Sequence, residues 1–369
     1  MWSRTIAAVA VLASVGLGTP AIAAKKPAQA PVPKLTLESV NSAEFFAKPA
    51  KPGQPAKTDK KHKASKTLDP VVLKAQVLLD RAGFSPGVID AMGGDNFAKA
   101  LAAFQRQNEL DATGELDDPT WAKLIATSAD PALTEYQITR ADVKGPFLKQ
   151  IPQGLEKMAE LDHLSYTSPR ELLSEKFHLS ESLLAALNPR ESFKDAERGI
   201  VVTNVPQDRA GAKAAKIEVD KAGRTVRALD QDGKLIAMFP ASIGSSEKPA
   251  PSGTHKVQAI SPNPVYRYDP KFAWKEIKTQ KKFTVPSGPN NPVGAVWINL
   301  SVPSYGIHGT PNPEKVSKTE SHGCIRLTNW DVQALAKMIA KGTPVEFLDN
   351  AMVAGQQKPG TVGQSVGSR

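Results

Sequence analysis

Cysteine is almost absent: Cys324 is the single one in 369 residues. It has no partner in its own chain, so no internal disulfide can form. Long apolar runs are missing too. The segment from Ile6 to Leu17 is too short to span a bilayer, and nothing later is apolar enough to try. Aromatic residues are sparse at 6%, beside 40% hydrophobic residues, a balance that suits compact domains joined by polar connectors. Acidic residues are outnumbered, leaving a net charge of +10. That surplus invites a nucleic-acid partner, but its location argues against one. Between Lys25 and Lys66 there are ten lysines against three acids, Glu38, Glu44 and Asp59. The rest of the chain is close to balanced. No nucleic acid is therefore expected. The basic stretch reads as a solvated linker or as a tether to anionic envelope polymers.

Arg4, the apolar run and the small-residue site Ala21-Ile22-Ala23-Ala24 have the order of an export signal over residues 1–24. Cleavage is expected after Ala23 or Ala24, with retention as a membrane anchor as the alternative. Export places the thiol in an oxidising compartment, where a spare cysteine is either buried or used. The surroundings of Cys324, Ser321-His322-Gly323-Cys324-Ile325-Arg326, are rich in glycine and histidine and pack poorly, so use is expected.

Residues 25–66 repeat Pro, Lys and Ala without an apolar period and are expected to be a disordered linker. At most Leu35, Leu37, Phe45 and Phe46 form a short helix there. Residues 67–128 carry helical spacing. Asp69-Pro70 caps a helix with Val71, Val72, Ala75, Leu78 and Leu79 on its faces. The turn Gly83-Phe84-Ser85-Pro86-Gly87 ends it. A second helix carries Phe97, Ala100, Leu101 and Phe104, and a third starts at Asp118-Pro119-Thr120-Trp121. This pattern resembles the small three-helix peptidoglycan-binding domain, with Phe104 and Trp121 expected in its core.

Residues 129–212 read as an α/β connector. Two short helices, after Ser168-Pro169 and from Ser180-Glu181, precede the strand-like run Gly199–Pro206. The layout resembles a LysM wall-sugar module, and a plain helical connector is the alternative. Residues 213–348 change period. Short strands at 217–220, 224–229 and 234–239 are separated by Ala222-Gly223 and Asp232-Gly233 turns. Further strands are expected at 241–244, 253–257 and 294–300, and one clear helix from Trp330 to Ala340. The expected fold is multi-domain: a small three-helix N-terminal bundle, an α/β connector and a mainly β domain with one packed helix. Residues 349–369 read as a disordered tail.

The chemistry concentrates in the β domain. A thiol becomes a nucleophile as its thiolate, so Cys324 needs a base or a positive charge nearby. His308 lies sixteen residues upstream in Gly306-Ile307-His308-Gly309-Thr310, and His322 two residues upstream. A general base contributes on the order of 10²–10⁴-fold. An oxyanion donor adds roughly 3 kcal/mol, and Gly323 lets backbone N–H groups come close to a substrate oxygen. Arg326 is suited to gripping a carboxylate. A zinc centre of His308, His322 and Cys324 lacks an obvious fourth ligand, so no metal is expected. A papain-like order is excluded because its cysteine precedes its histidine.

His308-Gly309-Thr310, Ser321 to Leu327 and Asp331 resemble the signature of the L,D-transpeptidases with a YkuD-type catalytic domain. The runs Gly288-Pro289-Asn290-Asn291-Pro292-Val293-Gly294 and Pro251-Ser252-Gly253 agree as well. The resemblance implies a YkuD-like β-sandwich. It implies that Cys324 attacks the carbonyl of the third stem-peptide residue, meso-diaminopimelate, and releases D-alanine. His308 would be the base, oriented by the Gly309 carbonyl. His322 would support it, Gly323 would serve the oxyanion hole, Arg326 would hold a carboxylate, and Tyr305 would line the entrance. The implied partners are peptidoglycan stem peptides and glycan, without a cofactor, in the periplasm or at the cell wall. The acyl acceptor stays open between another stem, an outer-membrane protein, water and a D-amino acid. A non-catalytic wall-binding scaffold is the competing class.

Overall fold

The computed structural model describes residues 35–46, 67–206, 211–245, 248–272, 279–321 and 323–349. The expected export signal, most of the linker, the tail and His322 lie outside the described residues.

One part of the expected linker is structured. Helix α1 (Leu37–Asn41) is closed at its start by a reciprocal Thr36–Ser39 capping box. Leu35, Val40 and Ala43 are buried. Asn41 copies a strand neighbour: its amide donates to the Leu133 carbonyl at 3.0 Å and accepts from the Leu133 N–H at 2.8 Å. The expectation of disorder across 25–66 is thus corrected over 35–46. Three buried apolar side chains and one amide that imitates backbone pairing hold a segment whose composition looked like linker.

Helices α2 (Pro70–Arg81), α3 (Asp95–Gln107) and α4 (Asp118–Ile125) form the expected bundle. Asp69 caps α2 by accepting from the Val71 N–H at 2.8 Å, and Asp117 caps α4 by accepting from Thr120 at 2.8 Å. Phe104 packs edge-on against Phe84, with ring centroids 5.6 Å apart, and Trp121 is buried beside Leu79 and Leu124. The opposite face of α2 is also covered. Leu73 and Val77 belong to a second core, built with the connector.

The connector opens on strand β1 (Leu133–Gln137), followed by α5 (Arg140–Lys144), α6 (Leu155–Met158), α7 (Pro169–Lys176), α8 (Glu181–Leu187) and β2 (Gly199–Thr203). β1 and β2 pair antiparallel, Leu133 facing Thr203. The two expected helices, α7 and α8, and the expected strand, β2, are present in that order, with β1, α5 and α6 before them.

The β domain contains β3 (Lys216–Asp220), β4 (Thr225–Leu229), β5 (Leu235–Pro240), β6 (Ser242–Ile243), β7 (Gly253–Pro262), β8 (Tyr266–Tyr268), β9 (Phe283–Val285), β10 (Val296–Leu300), β11 (Gly306–His308), β12 (Ile325–Arg326), α9 (Asn329–Met338) and β13 (Pro344–Leu348). Nine strands join in the order β5-β4-β3-β13-β7-β10-β11-β12-β6, and β8 and β9 form a separate ribbon. The long strand β7 joins two halves. Its first residues pair with β13 and its later ones with β10. Ile217, Val219, Val226 and Phe239 from one half share a core with Ile298, Ile307 and Ile325 from the other, and with Val332 and Leu335 of α9. Two layers closing on one apolar interior are the economical way to bury both inner faces.

The helical bundle is welded to this domain. Met238 of β5 donates to the Gly83 carbonyl and accepts from Ser85, both at 2.9 Å. A side chain at Gly83 would bring its Cβ within 2.8 Å of the Ile236 carbonyl oxygen, and the position has φ +93°. Glycine is needed there both for the turn and for the close approach. Met238 itself enters the bundle's core.

Phe104→Ala should empty the centre of that core and cost about 3–5 kcal/mol. Because Met238 shares the core, the loss should appear as early exposure of β5 in hydrogen exchange as well as of the bundle. Exchange confined to α3 and α4 would show that the weld is not cooperative.

Candidate active site

β11 and β12 are short, but they set the site. They run parallel, with Ile307 opposite Ile325 and His308 opposite Arg326. Alternation then gives the two isoleucines to the apolar core, where both are fully buried, and leaves His308 and Arg326 on the other face. Cys324, two residues before Arg326, falls on that same face. His308, Cys324 and Arg326 all line one cavity of about 590 Å³.

His308 is 4% exposed. Its ring stacks on Trp297, its partner across β10, with centroids 5.4 Å apart and planes inclined by 22°. Nδ1 lies 2.7 Å from the Gly309 carbonyl oxygen. A carbonyl only accepts, so Nδ1 carries the proton and Nε2 keeps its lone pair. Burial, with the Arg326 charge second, lowers the imidazole pKa to about 3, against the Gly309 hydrogen bond that raises it. The ring is therefore neutral at ordinary pH.

Gly309 is held from behind. Asn329, the first residue of α9, accepts from the Ala295 N–H at 2.9 Å. A Cβ placed on Gly309 would stand 2.2 Å from the Asn329 amide oxygen. Only glycine allows the backbone that bears the accepting carbonyl to lie so close to this amide.

The Cys324 thiol contacts the Ser304 carbonyl at 3.7 Å. Burial pushes its pKa up, opposed by the Gly306 backbone and the charges of Lys248 and Arg326. Ser321 spans the turn by donating its hydroxyl to the Cys324 carbonyl. Gly323 has φ +101°, and a Cβ there would lie 2.9 Å from the Tyr305 ring. Thiol and imidazole thus both rest neutral, and the thiol's contact is to the Ser304 carbonyl rather than to the ring.

Arg326 reaches the cavity, and burial lowers its pKa. Its Nη1 contacts the Glu320 carbonyl at 3.5 Å. Tyr305 stands beside that cavity, next to its lining residues Ser304 and Lys248. Its hydroxyl donates to the Pro249 carbonyl at 3.1 Å, and the Lys248 ammonium lies 5.4 Å from its ring centre. His255 contacts the Ser252 carbonyl, and His178 pairs with Asp80 and stacks on Trp330, all away from the cavity. Among the described residues no group of three or more His, Cys, Asp or Glu is placed to hold a metal.

Sequence reasoning missed Lys248, Trp297 and Asn329. Trp297 was read as an ordinary strand residue. Its partnership with His308 depends on cross-strand register, which a single sequence does not reveal. Lys248 sits in a Ser/Pro-rich loop with no period. Asn329 occupies the first turn of a helix, where such residues usually serve local capping; here Thr328 is the cap, accepting from the Asp331 N–H at 3.1 Å.

Comparison with known proteins finds matches to two parts of the chain. Residues 214–347 match the YkuD family, the L,D-transpeptidase catalytic domain, and residues 69–124 match a putative peptidoglycan binding domain. The putative L,D-transpeptidase YkuD of Bacillus licheniformis is 33% identical over 132 residues, covering 36% of this chain and 64% of that protein. The probable L,D-transpeptidase YbiS of Escherichia coli K12 is 27% identical over 203 residues, covering 53% of this chain and 65% of that protein. The chain thus spans a little under two thirds of the length of these relatives. Among solved structures, an L,D-transpeptidase from Mycobacterium smegmatis is matched at 20% identity with a TM-score of 0.30, covering 41% of this chain and 63% of that one.

A neutral resting pair has a signature. The rate of Cys324 alkylation by iodoacetamide should keep rising from pH 6 to pH 9, because burial holds the thiol above its ordinary value. A rate already at its plateau near pH 6 would instead mean a preformed thiolate–imidazolium pair. The depressed His308 pKa has a second consequence. The unfolded chain takes up a proton near pH 6.5 that the folded chain refuses until about pH 3. Stability should fall as pH drops through that window, and His308→Gln should flatten the fall in urea titrations.

Proposed function

We propose that this chain, which joins a YkuD-family L,D-transpeptidase domain to a peptidoglycan-binding domain, is an exported cysteine acyltransferase that remodels peptidoglycan stem peptides in the periplasm or at the cell wall. The observation that carries the reading is that Cys324 and His308 line the same cavity, with Nδ1 of the imidazole engaged by the Gly309 carbonyl so that Nε2 is the unprotonated nitrogen.

In the proposed reaction the Cys324 sulfur attacks the carbonyl carbon of meso-diaminopimelate while Nε2 of His308 takes the thiol proton. The tetrahedral oxyanion is received by backbone N–H groups at Gly323 and Cys324. The C–N bond to D-alanine breaks, and the imidazolium returns its proton to the leaving amine. A thioester remains on Cys324. An acceptor amine then attacks it, His308 removes the amine's proton, and the new amide forms as the thiol is restored. One amide replaces another, so no external energy source or cofactor is required. His322 would support this loop. Burial favours a neutral starting pair because the charges it opposes need exist only during attack, when the oxyanion and nearby dipoles compensate them.

Arg326 and Arg267 both line the cavity, with Lys248 beside Cys324. Three cations against one acid, Asp269, suit a substrate that carries carboxylates on its stem. The acceptor amine is that of a second stem, giving a 3–3 crosslink, or a lysine of an outer-membrane protein. Water would give carboxypeptidase action, and a D-amino acid would give exchange.

Incubation of tetrapeptide sacculi with the full chain should yield muropeptide masses that have lost D-alanine, alone or with an added acceptor. Cys324→Ala should abolish these products and still co-sediment with sacculi. Products surviving in that variant would refute the mechanism. Arg326→Met should raise KM for a soluble tetrapeptide by about 10–100-fold through loss of a charge-assisted contact, and an unchanged KM would remove Arg326 from substrate binding.

A further inference from the structure

The connector is not a passive spacer. Its segment 164–176 is laced into the loop Gly288–Gly294 of the β domain. Leu164 donates to the Ser287 carbonyl at 2.9 Å and accepts from Asn290 at 3.0 Å. The Asn290 amide donates to Glu171 at 2.8 Å. Gly288 passes so close that a Cβ there would lie 2.2 Å from the Leu164 carbonyl oxygen.

At the centre stands Glu175 of α7. It receives the Tyr166 hydroxyl at 2.9 Å, and the Asn329 Nδ2 lies 3.0 Å from each of its carboxyl oxygens. Asn329 is the residue that backs Gly309. An amide side chain offers one donor end and one acceptor end, and either orientation fits the same volume. Here both ends are specified. The Ala295 N–H demands the oxygen, while Glu175 and the Pro289 carbonyl, at 3.2 Å, demand the nitrogen. Burial pushes the Glu175 carboxyl up to about 7, against the Tyr166 and Asn329 hydrogen bonds that lower it. The carboxyl is thus placed where solvent cannot substitute for it.

We propose that Glu175, contributed by the connector rather than by the catalytic domain, is a positioning residue for the active site: by holding the Asn329 amide in one orientation it fixes the Gly294–Gly309 seam, and with it the carbonyl that keeps His308 in its Nδ1–H form. The connector thereby becomes part of the machinery that prepares the base. This rests on His308 serving Cys324 as its base, as proposed above. Glu175→Gln preserves shape but replaces one accepting oxygen with a donor, so the Asn329 Nδ2 loses one of the two carboxyl contacts that, with the Ala295 N–H and the Pro289 carbonyl, set its orientation. Glu175→Asp keeps the acceptor pair on a shorter arm.

The test is a double-mutant cycle on the full chain at pH 8, read by iodoacetamide alkylation of Cys324. Glu175→Gln should slow alkylation about tenfold, in line with the cost of a misplaced catalytic group. In a His308→Ala background it should add nothing, because the base it serves is gone. Glu175→Asp should recover part of the rate. In turnover of a soluble tetrapeptide, kcat should fall with KM unchanged. An equal slowing in both backgrounds, an alkylation rate untouched by Glu175→Gln, or a change in KM alone overturns the proposal. Should Glu175→Gln fail to fold, Tyr166→Phe, which removes one donor and keeps the ring packing, is carried through the same cycle and should show a smaller loss that again vanishes without His308. Alkylation uses no peptidoglycan. A parent chain with no turnover but an intact cycle would therefore count against the transpeptidase reading and for this one.

Discussion

Everything at the site depends on one short hydrogen bond made away from water, the 2.7 Å contact from the His308 ring to the carbonyl of its own neighbour, Gly309. In bulk solvent either ring nitrogen can carry the proton and the ring turns freely. Between Trp297 and the β sheet it can do neither. The bond selects the tautomer, and the tautomer leaves Nε2 as the acceptor on the cavity side. Burial then acts on both partners in opposite senses, raising the thiol and lowering the imidazole. A preformed ion pair is therefore disfavoured.

The rest of the structure holds that geometry still. Gly309 can approach Asn329 only because it lacks a side chain, and Asn329 is oriented in turn from the connector. The helical bundle is joined to β5 by paired backbone bonds, and α2 faces the bundle on one side and the connector on the other. The described residues fall in one compact unit. The helical bundle and Cys324 are thus parts of one packed body among the described residues.

Much of this was legible in the chain. The punctuation Ala222-Gly223 and Asp232-Gly233 gave β3, β4 and β5, and Asp69-Pro70 gave the start of α2, because turns and caps are local chemistry. β11 and β12, with three and two residues, were not legible as strands, since no period can be read in so few positions. β13 escaped as well, for its partner β3 lies more than a hundred residues away. The burial of Leu35, Val40 and Ala43 was hidden by a composition typical of linkers. The contact between Glu175 and Asn329 joins residues 154 apart in the chain, and neither carries a mark of it.

The most direct test of the central claim is a nitrogen-15 NMR titration of the His308 ring in the full chain. A neutral ring protonated at Nδ1 from pH 8 down to about pH 4 is the result this account predicts. A ring protonated at Nε2, or one that takes up a second proton near pH 6.5, would contradict it.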